Sequence, residues 1–196
     1  MQNNLSVKLA NALEYNDIEI PSHISHNLNK ELREYQQTAL KHYLLQRKNP
    51  QTNHLMFNMA TGSGKTLIMA ALMLDLYKQG YRKFVFFVNS TAILEKTKAN
   101  FCDKASSKYL FAEKILIDSK EVAVRSVENF EECDESAINI YFSTIQGLFS
   151  LFRNERENSL TLADLENHEI VFIADEAHHL NSDTKQTNIV LSHQSN

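Results

Sequence analysis

Met59-Ala60-Thr61-Gly62-Ser63-Gly64-Lys65-Thr66 decides how this chain is read. It follows the short apolar run His54-Leu55-Met56-Phe57-Asn58 and leads into Leu67-Ile68-Met69-Ala70-Ala71-Leu72-Met73-Leu74. The order is therefore a strand candidate, a glycine loop, and a helix over Lys65 to Gln79 stopped by Gly80. Such a loop cradles phosphate. Glycines let backbone N–H groups approach without a Cβ in the way, and the helix N-terminus adds partial positive charge. Thr61, Gly62, Ser63, Gly64, Lys65 and Thr66 are the candidate ATP-binding residues. Lys65 is suited to the β- and γ-phosphates and the Thr66 hydroxyl to Mg²⁺. The strict spacing calls for glycine at position 59, where this chain has Met59.

Downstream, short apolar runs alternate with helical stretches. Phe84 to Val88, Ile115 to Ile117, Ile138 to Phe142 and Glu169 to Ala174 read as strands. Thr91 to Phe101 and Ile145 to Phe152 read as helices. Asp103 to Glu135 is the least legible part. Strands apolar on both faces, alternating with helices, imply an α/β domain with a mostly parallel sheet covered on both sides. Upstream, Leu5 to Tyr15 suggests a short amphipathic helix and Asn16 to Asn29 a polar connector. Lys30 to Gln46 suggests a further helix, broken by Lys48 to Asn53. The expected division is residues 1–29 as helix and connector, and 30–196 as the ATP-binding lobe.

The run Ile170-Val171-Phe172-Ile173-Ala174 ends in Asp175-Glu176-Ala177-His178, 110 positions beyond Lys65. A buried strand that projects carboxylates from its end has a use for them, such as a metal ion. Asp175 is assigned with Thr66 to the Mg²⁺ shell. Glu176 is assigned to the water that attacks the γ-phosphate, which makes it a catalytic candidate beside Lys65. Ordinary acids at a helix start would look the same; the phosphate loop in the same chain favours the functional reading.

Composition bounds the alternatives. The chain has 196 residues, enough for one well-buried domain, with only 4 Gly and 2 Pro, which argues against an all-β or linker-rich architecture. A net charge of -4 argues against a small sequence-reading DNA module, which would be basic. Cys102 and Cys133, its 2 cysteines, form no metal or disulfide framework. The apolar run at Leu67 is interrupted by Asp75, well short of the ~20 residues of a membrane span, and the first residues lack a signal-peptide core. The expectation is a cytoplasmic protein with no membrane partner.

With both motifs in hand, the chain resembles the first RecA-like lobe of superfamily 2 helicases and translocases, most closely the Res (motor and endonuclease) subunit of type III restriction enzymes. Leu32-Arg33-Glu34-Tyr35-Gln36, Met59 to Thr66, Ser143-Thr144-Ile145-Gln146 and Ile173-Ala174-Asp175-Glu176-Ala177-His178-His179 carry the resemblance. It implies ATP and Mg²⁺ as cofactors, and duplex DNA and a modification methyltransferase as partners. It points to Gln36 for the adenine edge and His178 for coupling ATP state to movement. Ser90, Thr91, Thr144 and Gln146 become candidates for the DNA backbone. Helix capping explains the hydroxyls equally well, and a surface glutamine explains Gln36. A type I restriction motor, another helicase of the superfamily, or a nucleotide-binding fragment that does not cycle are the alternatives. In this family a Ser-Ala-Thr-like strand and a second lobe with arginines follow the acidic motif, whereas 18 residues follow His178. The expectation is an apparently truncated lobe that binds nucleotide weakly and turns over negligibly by itself.

Overall fold

A computed structural model describes residues 17–47, 54–131, 133–153, 160 and 169–175. The helix expected at Leu5 to Tyr15 lies outside them. Among the described residues, five strands form one sheet: β1 (Lys83–Val88), β2 (Ile115–Ile117), β3 (Lys120–Val127), β4 (Ala137–Thr144) and β5 (Ile170–Ala174). Their order is β2-β3-β4-β1-β5. The pairs β3–β4, β4–β1 and β1–β5 are parallel, and the β2–β3 hairpin is antiparallel. The mostly parallel α/β sheet is the one anticipated from the alternating pattern.

Among the described residues, five helices accompany the sheet: α1 (Ser22–Ser25), α2 (Glu34–Gln46), α3 (Lys65–Lys78), α4 (Thr91–Cys102) and α5 (Ile145–Arg153). The strand period of two sorts β1 between two cores. Phe84, Phe86 and Val88 face the larger core with α3 and α4, while Val85 and Phe87 face the smaller one with Leu148 of α5. β4 and β5 divide the same way, with Ile140 and Ile173 in the larger core and Tyr141 and Phe172 at the smaller. This two-sided burial is why β1 reads as an unbroken apolar run.

α3 is buried nearly all round. Leu67, Ile68, Met69, Ala70, Ala71, Met73 and Leu74 are all inside. Its end is closed by Gly80 at φ +112, with Tyr81 N–H donating to Leu76 O at 3.0 Å, the reverse turn a left-handed residue permits.

One carboxylate in this helix is also fully buried. Asp75 accepts from Tyr43 Oη at 2.9 Å, Gln79 Nε2 at 2.7 Å and the Arg47 guanidinium, and pairs with His23 Nε2 at 3.0 Å. Burial alone would push its carboxyl pKa up. The bonds from His23, Tyr43 and Arg47 overcome that and hold it below the ordinary carboxylate range. The same proximity, with burial first, pushes the Tyr43 phenol up. A single side chain thus joins α1, α2 and α3.

Three expectations change. His54 to Asn58 forms no strand: residues 54–60 have no regular structure, and Met56 is 81% exposed. The run is apolar in composition, but among the described residues none of it joins the sheet ladder. The polar connector is instead packed into the domain. Ile24 is fully buried, and the Asn27 side chain both donates to Leu116 O at 2.9 Å and accepts from Leu116 N–H at 2.7 Å. Asn27 thereby acts as a strand partner for β2. Finally, β3 lies within the stretch that offered no clear pattern. Lys120, Glu121, Ala123 and Arg125 are exposed on it, so little apolar alternation marks this strand near the edge.

Candidate nucleotide site

The glycine loop turns where its sequence requires. Gly62 has φ +78 and Gly64 φ +80, the left-handed region that side chains rarely adopt. Gly64 is the N-cap of α3, so the N–H groups of the first helical turn open beside the loop. Ser63 N–H closes the turn onto Ala60 O at 3.2 Å, and Leu67 N–H bonds to Gly64 O at 3.0 Å. A Cβ on Gly64 would lie 2.5 Å from Gln36 Nε2, so a larger residue here would strain the backbone and displace the Gln36 amide from the loop.

Met59 is accommodated without the glycine of the strict spacing. Its φ is not positive, its side chain packs on the larger core, and its carbonyl lies 3.4 Å from Lys65 Nζ. Lys65 and Thr66 are the first two residues of α3, both half-buried at the loop. An ammonium on a flexible stem held by one long contact to a carbonyl is free of any competing carboxylate partner among the described ion pairs.

Gln36 is 3% exposed and is bound to the loop. Its side-chain carbonyl accepts from Arg33 N–H at 3.0 Å, reaching back over the first turn of α2 as a residue at this helical position does. Its amide donates to Ser63 O at 2.9 Å, with Gly64 O at 3.4 Å. Tyr35 also reaches Ser63 O, at 2.7 Å through its hydroxyl. The sequence reading named Gln36 and overlooked Tyr35, whose place on α2 gives no hint of a loop contact.

Asp175 ends β5. Its N–H donates to Phe87 O at 3.1 Å, which fixes it opposite Val88 at the carboxyl edge of the sheet. Thr144 pairs with Val88 from the other side. Two strand spacings put Asp175 and Thr144 about 10 Å apart across β1. Carboxyl edges of parallel sheets are where ligands of such folds sit. Glu176 and His178 lie outside the described residues.

The hydroxyl candidates behave differently from one another. Thr144 Oγ1 accepts from Gly147 N–H at 3.0 Å and so caps α5, while Ser143 Oγ donates to Thr144 O at 3.0 Å. Ser90 occupies the N-cap position of α4 without a side-chain capping bond. Thr91 and Gln146 are exposed. Capping therefore accounts for Thr144 and leaves Ser90 unexplained by it.

No group of three or more metal-ligating side chains occurs among the described residues. Burial pushes the Cys102 thiol pKa up to about 12, with a smaller opposing effect of Lys98. No helix among the described residues is long and apolar enough to cross a membrane.

Comparison with known proteins identifies the family. Residues 29–196 match the family described as "Type III restriction enzyme, res subunit". The chain is 42% identical over 177 residues to the "Probable type III restriction-modification enzyme HindVIP Res subunit" of Haemophilus influenzae, covering 85% of this chain. It spans only 34% of that relative's length. No solved structure matches. The match runs from just before α2 through β5, so the glycine loop, the Gln36 clasp and the Asp175 strand end all fall within it. The chain belongs to the type III restriction enzyme Res subunit family, of which it carries a RecA-like α/β lobe.

Proposed function

We propose that this chain is the ATP-binding lobe of a DNA-dependent translocase serving a type III restriction enzyme. The observation that carries the reading is the glycine loop: two left-handed glycines open onto the N-terminus of α3, with Lys65 and Thr66 at its first turn. In this reading Thr61, Gly62, Ser63 and Gly64 wrap the phosphates with backbone N–H groups, and Lys65 neutralises the β- and γ-phosphates. Gln36 adds the adenine edge to its contact with the loop.

Thr66 and Asp175 offer hard oxygen donors, which suit Mg²⁺. When bound, the ion supplies charge neutralisation on the phosphates. Glu176 orients the attacking water and accepts its proton, and His178 passes the nucleotide state to the rest of the motor. Ser90, Thr91, Thr144 and Gln146 stand at the carboxyl edge, where hydroxyl, amide and N–H groups hold the backbone of duplex DNA. The modification methyltransferase of the same system is the proposed protein partner, and the cytoplasm the proposed location. The proposed division is residues 1–29 as an N-terminal helix and connector and residues 30–196 as the ATP-binding lobe. Since the match spans only 34% of the relative's length, we place the groups that complete turnover outside these 196 residues.

Glu176→Gln tests the division of labour. In the full-length protein it is expected to retain Mg-ATP affinity within about twofold while hydrolysis falls at least about 100-fold, the scale of a lost general base. Equilibrium titration and steady-state phosphate release measure the two. Normal turnover by the variant would remove Glu176 from the catalytic role.

A further inference from the structure

Tyr35 is 44% exposed, yet its hydroxyl donates the shortest of the bonds to the Ser63 carbonyl, at 2.7 Å. The Gln36 amide meets the same oxygen at 2.9 Å. A carbonyl has two lone pairs, and here both are engaged from α2. Arg33 Nη1 donates to Tyr35 Oη at 3.3 Å, and a donor on the phenol oxygen strengthens the bond that oxygen gives onward.

The consequence follows from peptide geometry. The Ser63 carbonyl and the Gly64 N–H belong to one planar, trans peptide unit and point in opposite directions. Holding the carbonyl toward α2 turns the Gly64 N–H away from α2. A glycine at φ +80 does not fix that plane by its own sterics, so something outside the loop must. The Ser63 hydroxyl adds a second observation at the same residue. It is buried and has no hydrogen-bond partner among the described residues, so nothing in the loop itself holds this side chain.

We propose that Tyr35 is a positioning residue for the phosphate site. Through the Arg33–Tyr35–Ser63 relay it sets the Ser63–Gly64 peptide plane, so that the Gly64 N–H is aimed before nucleotide arrives. The proposal rests on the nucleotide-site reading above and adds a residue to it. Tyr35 acts on the phosphates through the loop and makes no contact of its own with the reacting atoms.

The test uses the full-length protein, titrated with Mg-ADP and in competition with adenosine, for the wild type, Tyr35→Phe, Tyr35→Leu and Lys65→Ala. Tyr35→Phe is expected to weaken Mg-ADP about fivefold, the worth of one hydrogen bond. Adenosine binding and the melting temperature should not change, because the ring stays and the hydroxyl lies at the surface. Tyr35→Leu should behave like Tyr35→Phe. Wild-type Mg-ADP affinity in Tyr35→Phe overturns the proposal. So does equal weakening of adenosine, or a defect confined to Tyr35→Leu, which would make the ring a base contact. If Lys65→Ala binds Mg-ADP like the wild type, the site reading itself fails, and this proposal with it.

Discussion

Lys65→Ala is expected to weaken Mg-ATP binding by the full-length protein roughly 30- to 150-fold while leaving its melting temperature unchanged. The magnitude is that of hydrogen bonds to a charged group, about 2–3 kcal/mol, removed from a ligand whose charge is concentrated on its phosphates. The fold should not notice. Lys65 Nζ makes one long contact, to Met59 O at 3.4 Å, and the backbone that shapes the loop comes from the glycines and from α2. Titration calorimetry and a thermal melt on the same sample separate the two effects. Binding within threefold of wild type would contradict the placement of phosphate at this loop.

Asp75→Ala should produce the opposite pattern, with stability lost first. Its carboxylate is fully buried and meets Tyr43, Gln79, Arg47 and His23. Removing one member of such a buried network costs about 3–5 kcal/mol. Arg47 and His23 are partly exposed and can rehydrate, so the lower end, ~3 kcal/mol, is expected here. For a domain of this size that corresponds to roughly 6–12 °C in melting temperature.

The pH dependence has a definite sign. The folded-state pKa of Asp75 is depressed, so the ionised carboxylate stabilises the native state above the unfolded value near 4. That contribution fades as pH falls through the lower folded value. The wild type should therefore lose more stability than Asp75→Asn between about pH 4 and lower pH. Parallel acid-unfolding curves for the two would show that Asp75 holds no ion-pair stabilisation.

The sheet and the residues at its strand ends were readable where one chemical demand dominates a stretch. Phe84 to Val88 is buried on both faces and so carries no polar interruption. Gly62 and Gly64 sit where positive φ is obligatory, and Asp175 ends an otherwise apolar strand. Asp75 was visible only as a break in the apolar run of α3. Its four partners come from positions 23, 43, 47 and 79, and no local pattern links them.

The failures have equally physical causes. His54 to Asn58 is strand-like in composition, but strand formation depends on a ladder partner, and composition cannot report one. β3 exposes alternate polar residues near the sheet edge and resembles a loop. Asn27 imitates backbone with its amide, and Tyr35 reaches 28 residues along the chain to Ser63. Contacts of that kind arise from tertiary placement. Local periodicity holds no trace of them.

The central claim is that ATP use by this lobe is tied to DNA, and the direct measurement is Mg-ATP hydrolysis by the full-length protein with and without duplex. The account predicts a rate that rises at least about tenfold on adding duplex DNA, an expected coupling of ~1.4 kcal/mol or more. That rise should disappear in Lys65→Ala. Hydrolysis at the same rate with and without duplex, or a duplex-stimulated rate that survives Lys65→Ala, would contradict it.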